Sequence, residues 1–463
     1  MLKDYISQMK GAMGSEHTEI RAQRNTSRRV SVLNGDMISN SRSEESGVCA
    51  RVYRNGVYGF ASGAEYSESA VREILEAAQR NAKFMDERTG KGKPALPVIA
   101  KGTVEYKPYF SDPEQKAYID FVREVDAYIA KKYPKLVSRR VTAYADSMEK
   151  LLVTNDGADG YSIAPRAYVP IIMTANSNDG STVEMFRVLG AERGGCIDEK
   201  YRSVEDFAAE IEQNYEMLMA KAEGVYAEAG VRDVILGPNM AGILAHEAVG
   251  HTVEADLVLG GSVAAHLLGK PVASELVTMV DFAHTLHDGS PAPLPVYIDD
   301  EGTPATDELI IKDGILVGYM NSRESAQHFG MEPHGNARAY TFSDEPLIRM
   351  RNTGILPGKS KIEEMIASIK DGYYLTETGN GQADTTGEFM FGVNMGYEIK
   401  NGKLGRAIRD TTISGIAFEM LKTVDMLSDD NVWVSSGFCG KKQPMPVGMG
   451  GPALKCRINI GGR

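Results

Sequence analysis

Cysteine is scarce in this chain, and its spacing excludes two common roles. The four cysteines, Cys49, Cys196, Cys439 and Cys456, are scattered singly over 463 residues. They form neither the framework of a disulfide-rich domain nor a CxxC metal knuckle. Isolated cysteines are typical of reducing compartments, so we expect a cytoplasmic protein.

Long apolar runs and an excess of positive charge are also missing. No stretch approaches the roughly 20 apolar residues that a membrane-spanning helix needs. The N-terminal residues MLKDYISQMKGAMGSEHTEI lack the apolar core and cleavage site of a secretory signal. The chain has 51 Lys and Arg and 63 Asp and Glu, so its formal net charge is -12. Binding to the phosphates of a nucleic acid needs clustered basic residues instead. We therefore expect neither a membrane nor a nucleic acid as partner.

The length predicts two domains, because one hydrophobic core rarely grows beyond about 250–300 residues. Residues 1–229 mix strand and helix patterns, and Asn55-Gly56 between two alternating runs predicts a hairpin. Helical periodicity covers 65–85, 112–132 and 204–227, and short strands are predicted over 136–187. This half is predicted to be an α/β domain.

Residues 230–463 have a different sequence pattern from residues 1–229. They begin with a buried strand, and hairpin sequences such as IIKDGILVGYM and YEIKNGKLGRA follow among many glycines. Two further helices are predicted at 360–370 and 414–427. We expect a β-rich domain with a curved antiparallel sheet or partial barrel, which makes the fold class α/β (α+β) as a whole.

The most informative segment is ILGPNMAGILAHEAVGHTVEADLVL, in which His246-Glu247 is followed by His251 in an HExxxH pattern. With only 8 histidines in the chain, about 0.01 such strings are expected by chance. In the related HExxH motif two imidazoles on one helical face bind a zinc ion, and the adjacent Glu reaches its water. The pattern therefore predicts a zinc site with Glu247 as catalytic base.

The spacing of the two histidines constrains the helix that carries them. On a regular helix five steps rotate His251 about 140° away from His246, too far for joint ligation. We predict that the helix bends or ends between them, with Gly250 adopting the irregular dihedrals of a helix exit or π-bulge. The alternative is that the two histidines have unrelated structural roles.

A catalytic zinc needs a third protein ligand, and sequence spacing does not choose it. The candidates are Glu254, Asp256, His266, His284, His287 and Cys439.

Three segments carry a resemblance to a known family. They are HEAVGHTVEADL at 246–257, GNARAYTFSDEPLIRMRNTGILPG at 335–358 and GFCGKKQPMPVGMGGPALK at 437–455. Over nearly its whole length the chain resembles the TldD/PmbA family of metallopeptidases, in the branch that carries the metal motif. The resemblance implies that His246, His251 and Cys439 bind zinc and that Glu247 is the base. Cys456 lies outside the matching pattern.

The resemblance also implies an assembly and a substrate class. Family members form dimers that enclose the active site in an internal cavity, which admits unfolded peptides. The partner is a PmbA/TldE-type paralogue or a second copy of the same chain. We therefore expect a zinc-dependent metallopeptidase that hydrolyses unfolded or short peptides. The alternatives are a non-catalytic peptide-binding or regulatory subunit and a hydrolase of non-peptide amides.

Two further features of the site are predicted. His334, Arg338 and Tyr340 are candidate donors to the developing oxyanion, because they lie in or beside a family segment. The glycine-rich segment 379–399 is a candidate sheet edge for peptide binding by strand addition.

Overall fold

The computed structural model of the chain describes residues 6–89, 92, 95–108, 111–189 and 203–461. The strands are β1 (Thr18–Leu33), β2 (Asp36–Arg54), β3 (Val57–Gly63), β4 (Gly102–Tyr106), β5 (Ser138–Thr154), β6 (Ala158–Asn176), β7 (Thr182–Leu189), β8 (Gly230–Leu236), β9 (Met279–Phe282), β10 (Glu308–Lys312), β11 (Ile315–Leu316), β12 (Ala337–Arg338), β13 (Leu347–Ile348), β14 (Asn352–Ile355), β15 (Asp371–Ala383), β16 (Glu388–Lys400), β17 (Lys403–Ile408), β18 (Thr411–Ile416), β19 (Met426–Leu427), β20 (Val432–Cys439), β21 (Met445–Gly451) and β22 (Leu454–Ile460). The α-helices are α1 (Glu68–Thr89), α2 (Gln115–Lys132), α3 (Ala208–Ala222), α4 (Pro238–Ile243), α5 (Ala255–Leu259), α6 (Arg323–Phe329), α7 (Ile362–Ala367) and α8 (Ala417–Leu421).

The first half forms one mixed sheet covered by helices. Its strand order is β3-β2-β1-β5-β6-β4, and β7 pairs with β6. All pairings are antiparallel except the parallel pairing of β4 with β6. The strands β5 and β6 have 17 and 19 residues, so the prediction of short strands over 136–187 was wrong. Partly exposed residues interrupt the alternation of buried positions along β5, which hides its length in the sequence.

The second half contains a closed ring of five strands. β15 pairs with β8, β8 with β22, β22 with β18, β18 with β16, and β16 with β15. Only the β15–β8 pairing is parallel, which confirms a β-rich fold with an almost entirely antiparallel barrel. β17 extends the ring from β16, and β19 pairs with β22.

A second sheet lies beside the ring, with the order β11-β10-β9-β14-β21-β20. The helical segment that begins with α4 packs between the ring and this sheet. Its buried residues Met240, Leu244 and Ala248 share one hydrophobic cluster with Leu375 of the ring and Ile355 of the sheet. The segment that holds the two histidines is therefore fixed in the largest core of the described molecule.

The predicted helices at 65–85, 112–132 and 360–370 are confirmed as α1, α2 and α7. The pattern over 204–227 becomes a short 3-10 turn followed by α3. The prediction over 414–427 was largely wrong, because Ser414 lies in β18 and only Ala417–Leu421 is helical. The hairpin at Asn55-Gly56 is confirmed, since both residues have the positive φ angles, 48° and 92°, of a type I′ turn.

The boundary at residue 230 stays a prediction. The strands of the first sheet all precede residue 190, and those of the ring and the second sheet all follow residue 229. Met395 and Ala407 of the second half nevertheless complete a hydrophobic cluster that is otherwise built from the first half. In the helices of the described residues, no stretch combines the length and apolar character that crossing a bilayer requires.

Candidate metal centre

The local backbone brings the two motif histidines onto one face. Gly237 precedes the helix and Pro238 occupies its first turn, where a missing N–H costs nothing. After α4 the chain continues as a π-helical segment, Leu244–Gly250, and the backbone N–H of His251 donates to the carbonyl of His246. Because an i→i+5 hydrogen bond closes about one turn, residues five apart lie one above the other. The predicted irregularity of the helix is confirmed and takes the form of a π-segment.

The glycine before His251 has a different role from the one predicted. Gly250 has φ -52° and ψ -49°, ordinary helical values, so its conformational freedom is not used. A Cβ at this position would lie 2.1 Å from Sδ of the buried Met350. Gly250 is therefore required for space, because the helix passes close to the core beneath it.

Cys439 is brought to the two histidines by the sheet. It is the last residue of β20, and one ligand atom from each of His246, His251 and Cys439 lies within 4.8 Å of the others. The Sγ of Cys439 is 3.3 Å from Nε2 of His251. Sulfur and nitrogen ligands of one tetrahedral zinc lie about 3.6 Å apart, so the spacing suits a shared metal.

His246 supplies the observation that tests this fit. Its side chain is buried, yet neither ring nitrogen has a hydrogen-bond partner among the described residues. Buried polar atoms are nearly always paired, and an orphaned group calls for an explanation. A metal ion bound to His246 would provide the missing partner, so the residues present fit a zinc site.

The electrostatics of the cysteine favour a thiolate. Burial alone would raise the pKa of Cys439, but the nearby imidazoles of His246 and His251 outweigh it and lower the pKa to about 3. For His251, burial lowers the pKa, but the contacts with Cys439 and Glu254 outweigh it and raise the pKa to about 10. The thiolate is the form of cysteine that binds metals.

Glu247 places a carboxylate beside the three candidate ligands. Its Oε2 is 3.6 Å from Nε2 of His251, and its Oε1 is 4.0 Å from Nε2 of His246. The side chain is 29% exposed, so a water molecule can reach it. A carboxylate at this position can take a proton from a water held by the centre.

The other sequence candidates for a third ligand lie elsewhere among the described residues. Glu254 is bonded to Nδ1 of His251 rather than turned toward the thiol, and Asp256 pairs with Lys441. His284 stacks on Tyr297 at 4.4 Å. His266 and His287 do not join the group of His246, His251 and Cys439 either.

The candidate oxyanion donors have other contacts among the described residues. Arg338 donates to the carbonyls of Met350 and Pro446. Arg338 and Tyr340 line a cavity of about 170 Å³ between the first sheet and the second half, whose walls include none of the three candidate ligands. His334 accepts or donates a hydrogen bond with Thr306 at 2.7 Å. Their role in catalysis stays a prediction.

Sequence reasoning missed the residue that anchors the cysteine. Arg349 is fully buried and donates to the carbonyls of Cys439, Lys441 and Gln443 at 2.7, 2.9 and 2.7 Å. Charged side chains are rarely fully buried, so the pattern RMR gave no reason to place this arginine inside. Its neighbour Arg351 is equally buried, bonded to Asp281.

The fold brings together two histidines, a cysteine and an adjacent carboxylate in a group that could hold a metal ion, as in a metallopeptidase. Family models agree with this class and match most of the chain: PmbA/TldA metallopeptidase domain 1 at 18–82, the central domain at 108–214 and the C-terminal domain at 229–462. The chain belongs to the PmbA/TldD metallopeptidase family.

Relatives and solved structures are similar over nearly the full length. A protein named metalloprotease from Methanothermobacter thermautotrophicus is 31% identical, covering 96% of this chain and 94% of the relative. A zinc metalloprotease TldD homolog from Saccharolobus solfataricus is 29% identical, covering 97% of both chains. The crystal structure of TldE from Thermococcus kodakarensis covers 100% of both chains with a TM-score of 0.78 at 18% identity, which shows the same fold.

Proposed function

We propose that this chain is a zinc-dependent peptidase of the HExxxH type that hydrolyses unfolded or short peptides. His246, His251 and Cys439 would hold the zinc and Glu247 would be the catalytic base. The observation that carries the proposal is the buried, unpartnered imidazole of His246 beside the Cys439 thiol. Imidazole and thiolate ligands suit zinc, and three protein ligands leave one position free, as in catalytic zinc sites.

The chemistry divides between the metal and this chain's own residues. Zinc in this position would polarise a water molecule and the carbonyl of the scissile peptide bond. Glu247 would accept the proton of the attacking water at one of its carboxylate oxygens. The same carboxyl group would then deliver that proton to the nitrogen of the leaving amine. Two neutral imidazoles and one thiolate leave the zinc site with a net charge of about +1, which favours the developing negative charge.

Peptide binding by strand addition is supported at a more limited edge than the sequence predicted. Within 379–399, β16 has partners on both sides and offers no edge. Residues 376–383 of β15 pair only with β16 among the described residues, since β8 pairs with 372–375. We propose this part of β15 as the edge that receives the substrate backbone.

The assembly and the location of the protein are also proposals. We propose that the chain works in the cytoplasm as a dimer, with itself or with a PmbA/TldE-type paralogue, so that the site faces an internal cavity. We also propose a division into an N-terminal domain, 1–229, and a C-terminal metallopeptidase domain, 230–463. Light scattering of the purified chain, alone and with such a paralogue, tests the dimer.

Metal content and hydrolysis, measured on the same samples, test the function. Wild type should hold about one zinc per chain and hydrolyse an unstructured peptide. His251→Ala and Cys439→Ser should lose both zinc and activity. Glu247→Gln should keep zinc and lose activity, because it removes the base alone.

A wild type that stays free of metal after addition of zinc would favour the non-catalytic subunit instead. Hydrolysis of small amides without hydrolysis of peptides would favour a hydrolase of non-peptide amides.

A further inference from the structure

A lysine two residues after Cys439 joins the two segments that carry the candidate ligands. Lys441 Nζ forms ion pairs with Glu254 at 3.2 Å and with Asp256 at 2.8 Å, and it donates a hydrogen bond to the carbonyl of Ile348 at 2.9 Å. The side chain is only 10% exposed, and its position is therefore fixed by the protein rather than by solvent.

The carboxylate that receives this lysine also holds a candidate metal ligand. Glu254 is fully buried, and its Oε2 lies 2.7 Å from Nδ1 of His251. A carboxylate in that position accepts a hydrogen bond from the Nδ1–H group, so a metal would bind His251 through Nε2. Nε2 is the atom that faces Sγ of Cys439. Histidines that bind metals commonly donate their second N–H to a carboxylate in this way.

We propose that Glu254 and Lys441 are positioning residues of the metal centre. Glu254 fixes the ring orientation and the tautomer of His251, and Lys441 neutralises this buried carboxylate while it ties the Cys439 segment to the histidine helix. The inference rests on the proposed function in one respect, that a metal occupies the site. It adds that the segment with the cysteine ligand also controls the geometry of a histidine ligand.

Arg349 makes this arrangement rigid from the other side. Its guanidinium group bonds the carbonyls of Cys439, Lys441 and Gln443, so the backbone that carries Lys441 is held in place. Three connections join the segments without any metal: Lys441 to Glu254, Lys441 to Asp256, and Sγ of Cys439 to His251. The ligands are therefore arranged before the metal binds, and little reorganisation accompanies its entry.

Zinc affinity of the full-length chain tests the proposal. Metal-free protein is titrated with zinc against a competing chelator. Glu254→Gln and Lys441→Met should each bind zinc about 10–100-fold more weakly than wild type, the range for loss of a partner of a metal ligand. Lys441→Arg keeps the charge and should recover most of the affinity. Lys455→Met removes a lysine of β22 that pairs with Asp425, and it should leave the affinity unchanged.

A second readout does not depend on the variants folding. In zinc-loaded wild type, ¹⁵N NMR of the His251 ring should show a protonated Nδ1 and a metal-bound Nε2. The reverse assignment would overturn the proposal. Zinc affinities of folded Glu254→Gln and Lys441→Met within about threefold of wild type, outside the expected range, would overturn it as well.

The same samples keep this proposal distinct from the peptidase assignment. If wild type binds zinc without hydrolysing peptides, and both variants bind zinc weakly, the peptidase assignment fails and the positioning role stands. If wild type hydrolyses peptides and both variants match its zinc affinity, only the positioning role fails.

Discussion

Substituting alanine for Gly250 measures how closely the helical segment with His246 and His251 passes the core. On an exposed helix this change would stabilise the protein by up to about 1 kcal/mol, since alanine is the better helix former. The backbone of Gly250 is already helical, so no strain from φ opposes the substitution. The sign of the effect therefore depends on space alone.

The close packing around Gly250 opposes the alanine substitution. The new Cβ would lie 2.1 Å from Sδ of Met350 and 3.2 Å from the carbonyl of Ala245, and Met350 is fully buried. Forcing one extra carbon into a packed core costs about 1–3 kcal/mol. A separation of 2.1 Å is far inside contact distance, so the cost should lie near the upper end of that range. After the gain of up to about 1 kcal/mol in helix propensity is subtracted, we expect Gly250→Ala to destabilise the protein by about 2 kcal/mol. It should also weaken zinc binding, because His251 is the next residue.

Urea unfolding of wild type, Gly250→Ala, Met350→Ala and the double variant forms a complete cycle. The double variant should lose about 1–3 kcal/mol less unfolding free energy than the sum of the losses of the two single variants, because the added methyl group fills part of the space that Met350 leaves. Gly440→Ala is the matched control, since Gly440 adjoins Cys439 and a Cβ there meets nothing within 4 Å. A Gly250→Ala variant as stable as wild type, or more stable, would refute the close approach.

Three other predictions follow from the charges of the described residues. With zinc bound, alkylation of Cys439 should be on the order of tenfold slower or more than in the metal-free protein, measured by mass spectrometry, and Cys456, whose thiol pKa burial raises, should stay unreactive in both forms. Asp281→Asn should cost about 3–5 kcal/mol in urea unfolding because it leaves the fully buried Arg351 without its charge partner, and a cost below about 1 kcal/mol would contradict that. Burial raises the pKa of Glu308 from 4.5 to about 8, so its contribution to stability is fully present below pH 4.5 and is lost as the pH rises through 8. The free energy of unfolding of Glu308→Gln should therefore increase relative to that of wild type between these two pH values. Parallel pH profiles of the two unfolding free energies would be the contrary result.

The sequence predicted the features that depend on neighbours in the chain. The spacing of His246 and His251 required an irregular helix, because a regular one separates them, and a π-segment is present. The hairpin at Asn55-Gly56 follows from the preference of both residues for positive φ. The long strands β5 and β6 were harder to predict, since partly exposed residues on β5 break the alternating pattern.

Features that depend on distant contacts could not be predicted from spacing. Cys439 reaches His251 only because the second sheet packs against the helix, and several other residues were equally good candidates in the sequence. Arg349 illustrates the same limit, since only the folded chain brings three carbonyls around its guanidinium group. The role of Gly250 was misjudged for this reason, because Met350 is far from it in sequence.

The closure of the strand ring depends on strands that are synthesised far apart in time, and this limits how early the candidate metal site can form during translation. β8 emerges first, but its two partners in the ring are β15 and β22, so it stays without either neighbour through most of the translation of the second half. Cys439 also follows the histidines by a long stretch of chain. Such distant pairings form slowly. The ring around the helix with His246 and His251 therefore cannot close until Leu454–Ile460 has left the ribosome, so the final packing of this helix follows the synthesis of nearly all of the second half.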